Sequence, residues 1–237
     1  MSIDHWLWLS AAVAVAAFVQ GATGMGFALL VAPVCGLLEP SLLPVGVLVL
    51  MLPLNGYIGW RERVSIDVPS AGWITAGRAL GTAGGVAVLA LLTAGQLGVF
   101  VSATILAAVA ATLLAPAFEP GRRTLIGAGI VTGITETATG VGGPPLALAL
   151  QHGSPARMRA TIALCFLVGE LMSLALLALA GRLGWNALAA SAQLLPALAL
   201  GAGLSRHVHT RLDARFMRAF VLVFAAVSSI ALLVRSV

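Results

Sequence analysis

Val19-Gln20-Gly21-Ala22-Thr23-Gly24-Met25-Gly26-Phe27-Ala28-Leu29-Leu30-Val31-Ala32-Pro33 breaks an apolar stretch that runs over about residues 6–38. A membrane-crossing helix needs about 20 apolar residues to span roughly 30 Å of hydrocarbon. This stretch is too long for one such helix and too short for two. Glycines at positions 21, 24 and 26 supply a place to interrupt it. Two half-helices that meet near the midplane and leave on the side they entered, a re-entrant hairpin, satisfy both the length and the break.

The break recurs. Thr23-Gly24-Met25-Gly26 returns as Thr139-Gly140-Val141-Gly142, an offset of 116 residues (139 − 23) in a chain of 237. Ala22 matches Ala138, Leu30 matches Leu146, and Gln20 falls opposite Glu136. The second break interrupts another apolar stretch, about 124–151, which is equally awkward in length. The remaining apolar blocks lie at about 42–60, 68–93, 97–117, 161–180, 185–204 and 216–234. They are unbroken Ala/Leu/Val runs rather than alternating strands, so they read as helices and not as a β-barrel. The predicted fold class is an all-α integral membrane protein. It has two repeats, 1–118 and 119–237 of a single transmembrane domain, each a hairpin followed by three crossing helices.

Composition agrees. The chain is 60% hydrophobic and 9% charged, against about 25% charged residues in soluble domains. Met1 to His5 include Asp4 and no basic residue, so the start does not read as a cleavable signal peptide. Cys35 and Cys165 lie in or beside apolar segments, where cysteine behaves as a small hydrophobe. Neither a disulfide nor a metal site is read from them, and no cofactor is expected. The net charge of +5 comes from 13 basic residues, all arginine and most of them in short loops. This is a topology signal rather than a nucleic-acid surface.

The arginines thread the chain. If all eight apolar stretches crossed fully, Arg61, Arg63, Arg122, Arg123, Arg182 and Arg235 would oppose Arg157, Arg159, Arg206, Arg211, Arg215 and Arg218. That leaves no positive-inside bias. With the two interrupted stretches as hairpins, only Arg182 and Arg235 remain apart from the other ten, and Arg78 lies within the membrane. The ten-arginine side is then cytoplasmic and the termini periplasmic. Three crossings per half is an odd number, so the second repeat is inverted relative to the first, a recurring plan of secondary transporters.

Non-helical backbone at membrane depth survives only where it is buried in protein or lines a cavity. Glycine permits positive φ and close approach, and Pro144 suits the first turn of an outgoing helix. A helix that starts at the break presents free N–H groups and its positive dipole end. Gly24, Gly26, Gly140, Gly142 and Gly143, with the hydroxyls of Thr23 and Thr139, therefore make candidate contacts for a small anionic substrate. Glycines that merely allow tight helix packing are the simpler alternative. Three ionisable residues fall near the bilayer centre: Arg78, Glu136 and Glu170. Charges at that depth cost about 2.5–3.5 kcal/mol each on insertion scales and are functional candidates by default. Arg78 could clamp an anion or pair with either glutamate. Glu136 and Glu170 are candidates for carrying a coupled proton. Asn55, Gln20 and Gln193 read as supporting polar residues within the helices. Gln151-His152-Gly153-Ser154-Pro155 reads as the turn that closes the second hairpin, and His207 and His209 read as interfacial.

The segment Val19–Pro33 resembles the first signature of the TauE/SafE permeases, and Thr139-Gly140-Val141-Gly142-Gly143-Pro144-Pro145-Leu146 resembles the second. The resemblance implies a bacterial inner-membrane protein, a homodimer, and export of sulfite or a small organosulfonate. The competing functions are weaker. An intramembrane serine protease would want Gly-x-Ser-Gly, and Gly203-Leu204-Ser205-Arg206 fails at its last position; no His-Glu-x-x-His occurs either. An enzyme is not expected. An anion channel would use similar donors without needing buried carboxylates, and a non-transporting scaffold subunit would bind no small ligand.

Overall fold

The computed structural model describes residues 3–114, 120–208 and 214–236, and among these residues it contains helices and turns and no strand. Ten α-helices follow in chain order: α1 Ile3–Thr23, α2 Phe27–Leu38, α3 Val45–Arg61, α4 Val68–Leu91, α5 Ala94–Leu114, α6 Arg122–Thr139, α7 Gly143–Leu150, α8 Pro155–Leu179, α9 Trp185–Val208 and α10 Ala214–Ser236. Of the residues named from sequence, Met1, His209 and Arg211 lie outside the described ones.

Both glycine-rich segments interrupt the helices. Gly24 and Gly26, with φ of 87° and 115°, separate α1 from α2; Gly140, with φ of 80°, ends α6 before α7 begins. These values lie in the left-handed region, which only glycine adopts without penalty. α2 stops at Leu38 ahead of Glu39-Pro40, because proline disfavours a helical residue before it. Pro53 and Pro196 lie inside α3 and α9, which continue through them.

Among the described residues six helices are long and apolar enough to cross a membrane: α1, α4, α5, α8, α9 and α10. Large apolar side chains such as Leu80, Leu91, Leu113, Leu179, Leu200 and Val227 are exposed on their outer faces. That is the surface of a multi-pass membrane protein in lipid. The set differs from the sequence reading in one exchange. A short 3-10 turn at Pro40–Leu42 delays α3, leaving it 17 residues, about 25 Å. α1 instead runs 21 residues, about 31 Å, before its first break. The first break therefore does not divide its stretch into matching half-helices. It follows a helix of full membrane length, and the arms are 21 and 12 residues. The second break divides 18 residues from eight.

One end of the bundle gathers the arginines. Arg159 bonds Glu62, Arg157 pairs with Asp67, Arg122 stacks on Trp73, and Arg218 reaches the Thr112 carbonyl. At the other end Arg235 bonds the carbonyl of Leu37.

α4 and α6 pack backbone to backbone. Cβ atoms on Gly77, Gly81 and Gly85 would collide with the carbonyls of Ile126, Ile130 and Ile134, and Gly129 and Gly133 press in return on the carbonyls of Ile74 and Arg78. Small residues four apart let membrane helices approach this closely. Gly201 does the same for α9 against the Ala14 carbonyl of α1. This packing draws α4 and α6 together and sets Arg78 beside Glu136.

Candidate functional site

Arg78 lies in the middle of α4 with no exposed surface, and its Nη2 pairs with Glu136 Oε2 of α6 at 2.5 Å. Of the two partners left open by sequence, it is Glu136 that the ion pair takes. The guanidinium is seated in a notch on α8: a Cβ on Gly169 would occupy the same space, and the Phe166 ring lies 5.7 Å away. Arg78 Nε and Nη1, Glu136 Oε1 and Glu170 Oε2 make no hydrogen bond to described residues. Buried polar atoms are nearly always bonded, so such a cluster marks a place where chemistry rather than packing sets the residue types.

Glu136 also meets the second glycine turn. A Cβ on Gly142 would press on its carboxylate, and Thr132 donates to the Gly142 carbonyl at 3.2 Å. Thr139 is buried; its hydroxyl donates to the Thr135 carbonyl at 2.6 Å and accepts from Val141 N–H at 3.1 Å. Pro144 sits in the first turn of α7, as its missing N–H favours. Gly140 lies against Val47, in the first turn of α3.

The first turn repeats this chemistry. The single Thr23 hydroxyl proton can go to the carbonyl of Val19, at 2.9 Å, or of Met25, at 2.7 Å. It lies toward the arginine-rich end rather than midway along the bundle, because α1 is unbroken for its full length. Arg61 Nη2 donates to the Gly21 carbonyl at 2.9 Å, and the aliphatic chain of Arg159 covers Gly24. Glu62 ties the two arginines together, accepting from Arg61 at 2.7 Å and from Arg159 Nε at 3.1 Å on each oxygen. Sequence reading missed this latch, since Glu62 and Arg159 stand 97 residues apart.

The two turns touch. Met25 of the first lies 4.0 Å from the position of a Cβ on Gly143 in the second, and Phe166 flanks the same point. Asn55 and Gln20, read as supporting polar residues, join the first turn to the buried carboxylates: Gln20 Nε2 donates to Asn55 Oδ1 at 2.8 Å, and Asn55 Nδ2 donates to Glu170 Oε1 at 2.6 Å. Gln193 stands apart from this cluster, exposed on the outer face of α9. His207 falls in the last turn of α9.

Of two cavities among the described residues, the apolar one touches the second glycine turn. One of about 200 Å³ at the arginine-rich end is lined by Asp67, Ser70, His152, Arg157 and Thr161. Burial pushes the Asp67 carboxyl up, but hydrogen bonds from Ser70 and the Arg157 charge outweigh it and hold the group below the ordinary carboxylate range. The other, about 480 Å³ and apolar, lies between α5, α6 and α7 with Val141, Pro144 and Pro145 on its wall.

The family model described as sulfite exporter TauE/SafE matches residues 9–232. The chain belongs to the TauE/SafE family. Both glycine turns, the Arg78–Glu136 pair and Glu170 fall inside the matched span of this TauE/SafE protein. No curated protein and no solved structure matches the chain. The family is one of membrane sulfite exporters, so the geometry above belongs to a transporter family rather than to an enzyme family.

Proposed function

We propose that this TauE/SafE protein is a secondary transporter that exports a small anion, sulfite or an organosulfonate, by alternating access, binding it between the two glycine turns. The observation that carries the reading is the buried Arg78–Glu136 pair set against the second turn where the first turn meets it. Arg78 has donors to spare, and an oxyanion can accept two of them side by side. The start of α2 beyond Phe27, whose own N–H Gln20 takes, and Gly143 ahead of two prolines at the start of α7 add N–H groups and positive dipole ends. Thr23 and Thr139 hold the turns in shape through their backbone bonds, and their oxygens can rotate toward a ligand as the turns move.

The helix pairings support two inverted repeats, 1–118 and 119–237. α4 packs on α6 as α9 packs on α1, and α5 packs on α7 as α10 packs on α2, while α3 meets α8 and α5 meets α10. Exchanging the halves maps each pairing onto another or onto itself. On this plan the hairpins are re-entrant, the arginine-rich end faces the cytoplasm, the chain sits in a bacterial inner membrane, and the termini are periplasmic. A homodimer is what the family likeness implies. An arriving anion competes with Glu136 for Arg78; the displaced carboxylate takes up a proton, which ties anion movement to proton movement.

A thermal-shift screen of the purified protein tests the site. It uses sulfite, thiosulfate, sulfoacetate, taurine, short carboxylates and simple salts at matched ionic strength. A ligand at about 100 times its dissociation constant stabilises by about 2.7 kcal/mol. Selective stabilisation by sulfur oxyanions, lost in Arg78→Gln, supports the reading. No shift with any anion overturns it and moves the scaffold alternative forward, whereas binding with free conductive flux would make the protein a channel.

A further inference from the structure

We infer that Asn55 and Gln20 are positioning residues through which the protonation of Glu170 sets the conformation of the first glycine turn. One backbone group fixes the direction of every bond between them. Phe27 is the first residue of α2, and its N–H, which has no partner within the helix, donates to Gln20 Oε1 at 3.0 Å. An N–H can only donate, so the Gln20 oxygen must face it and the Gln20 amide nitrogen must face away. That nitrogen meets Asn55 Oδ1 at 2.8 Å, which in turn orients the Asn55 nitrogen toward Glu170 Oε1 at 2.6 Å. Every donor in the chain points the same way, from the start of α2 on the first turn, through α1 and α3, to a carboxylate on α8.

A one-way chain of donors ends best on an anion. Ionised Glu170 would receive a charge-assisted bond from Asn55, whose Nδ2 stands 2.6 Å from Oε1. A proton arriving on Oε2, which has no hydrogen-bond partner among the described residues, leaves Oε1 a neutral carbonyl and weakens the whole chain. No electron is moved and no bond other than O–H forms. Gln20, Asn55 and Glu170 are at most 1% exposed, so water does not replace a loosened link at the surface. The charged groups facing Glu170 from neighbouring helices are Arg78 of α4 and Glu136 of α6. They hold each other in an ion pair, which leaves Glu170 as the buried carboxylate wired to the first turn. The relay thus lets a proton at one point of the core loosen a turn latched by Arg61 and Arg159.

The inference rests on the transporter reading for its purpose, but its test does not. Hydrogen exchange of peptides covering residues 20–33 is measured from pH 5 to 9 in detergent, corrected for intrinsic chemical exchange. The wild type is expected to protect the first turn about fivefold more at high pH than at low pH, the gap between a charge-assisted and a neutral hydrogen bond. Glu170→Gln and Asn55→Ala are expected to flatten that dependence. Should Glu170→Gln fail to yield folded protein, Asn55→Ala and Gln20→Ala carry the test, since each cuts the chain with Glu170 intact. A flat wild-type profile overturns the relay, as does a pH dependence that survives Asn55→Ala. If the pH-dependent exchange stands while no anion binds, the relay holds and the proposed transport fails. If anion is transported while the profile is flat, transport holds and the relay fails.

Discussion

Gly169→Ala places one methyl group where the Arg78 guanidinium lies. A Cβ at that position would overlap the guanidinium itself, not the far end of a side chain with room to swing, since Arg78 has no exposed surface. Two outcomes bound the cost. If α8 recedes and Arg78 stays paired, the penalty is that of overpacking a core, about 1–3 kcal/mol. If Arg78 is pushed off Glu136, two buried charges lose each other, and breaking such a pair costs about 3–5 kcal/mol. Alanine returns about 1 kcal/mol through helix propensity on either path. The second path is favoured because the glycine notch, rather than open space, receives the group, so the expected net loss is about 2–4 kcal/mol. Each kcal/mol moves the melting temperature of a chain this size by about 2–4 °C. Gly72→Ala on α4 is the control: nothing lies within 4 Å of a Cβ there, so it keeps or raises the melting temperature. Melting of both variants in detergent, with and without the stabilising anion, reads the result. A Gly169→Ala protein that melts with wild type and still binds anion would refute both the notch and the role given to Arg78.

The Arg78–Glu136 pair should show strong coupling: Arg78→Leu alone is expected to destabilise by about 3–5 kcal/mol, and Arg78→Leu with Glu136→Leu to recover most of that loss while binding no anion. Thermal melts of the two singles and the double make the check, and additive losses would contradict it. Asp67 caps α4, accepting from Ser70 N–H at 3.2 Å, so Asp67→Asn should cost at most about 1 kcal/mol at pH 7. Because the folded carboxyl titrates below its ordinary value, the stability it adds is present above about pH 4 and lost as pH falls through the depressed folded value. Melting curves of wild type and Asp67→Asn should therefore converge only in acid, and a difference that shrinks between pH 6 and 8 would count against this. Glu136→Gln should flatten the pH dependence of transport while leaving the protein folded; an unchanged profile removes Glu136 from the coupling.

What the sequence made legible were features carried by local chemistry. Glycine at 24, 26 and 140 has to break a helix wherever φ turns positive, and Arg78, Glu136 and Glu170 are conspicuous in apolar runs. The family followed from the two motifs around those breaks. Partnerships were another matter. Whether Arg78 pairs with Glu136 or Glu170 depends on how α4 is brought onto α6, which the glycines at 77, 81, 85, 129 and 133 decide through their four-residue spacing. That spacing is plain in the sequence. Gly169 is not: a single glycine before a glutamate announces no notch until α4 is seated against it. The first break falls at the glycines that marked it, but the helix ahead of it runs 21 residues, because α1 begins at Ile3, before the apolar run. α8 begins at Pro155, ahead of its apolar run, because Ser154 caps it and proline fits the first turn. Gln193 faces outward because α9 is apolar nearly all round and its sequence marks no inner face.

The most direct test of the central claim is counterflow in proteoliposomes. Vesicles holding the purified protein are loaded with unlabelled sulfite or organosulfonate and diluted into a trace of the labelled anion. Alternating access between the two glycine turns predicts a saturable, transient accumulation of label that Arg78→Gln abolishes. Label that merely equilibrates without overshoot, or that never enters, would contradict it.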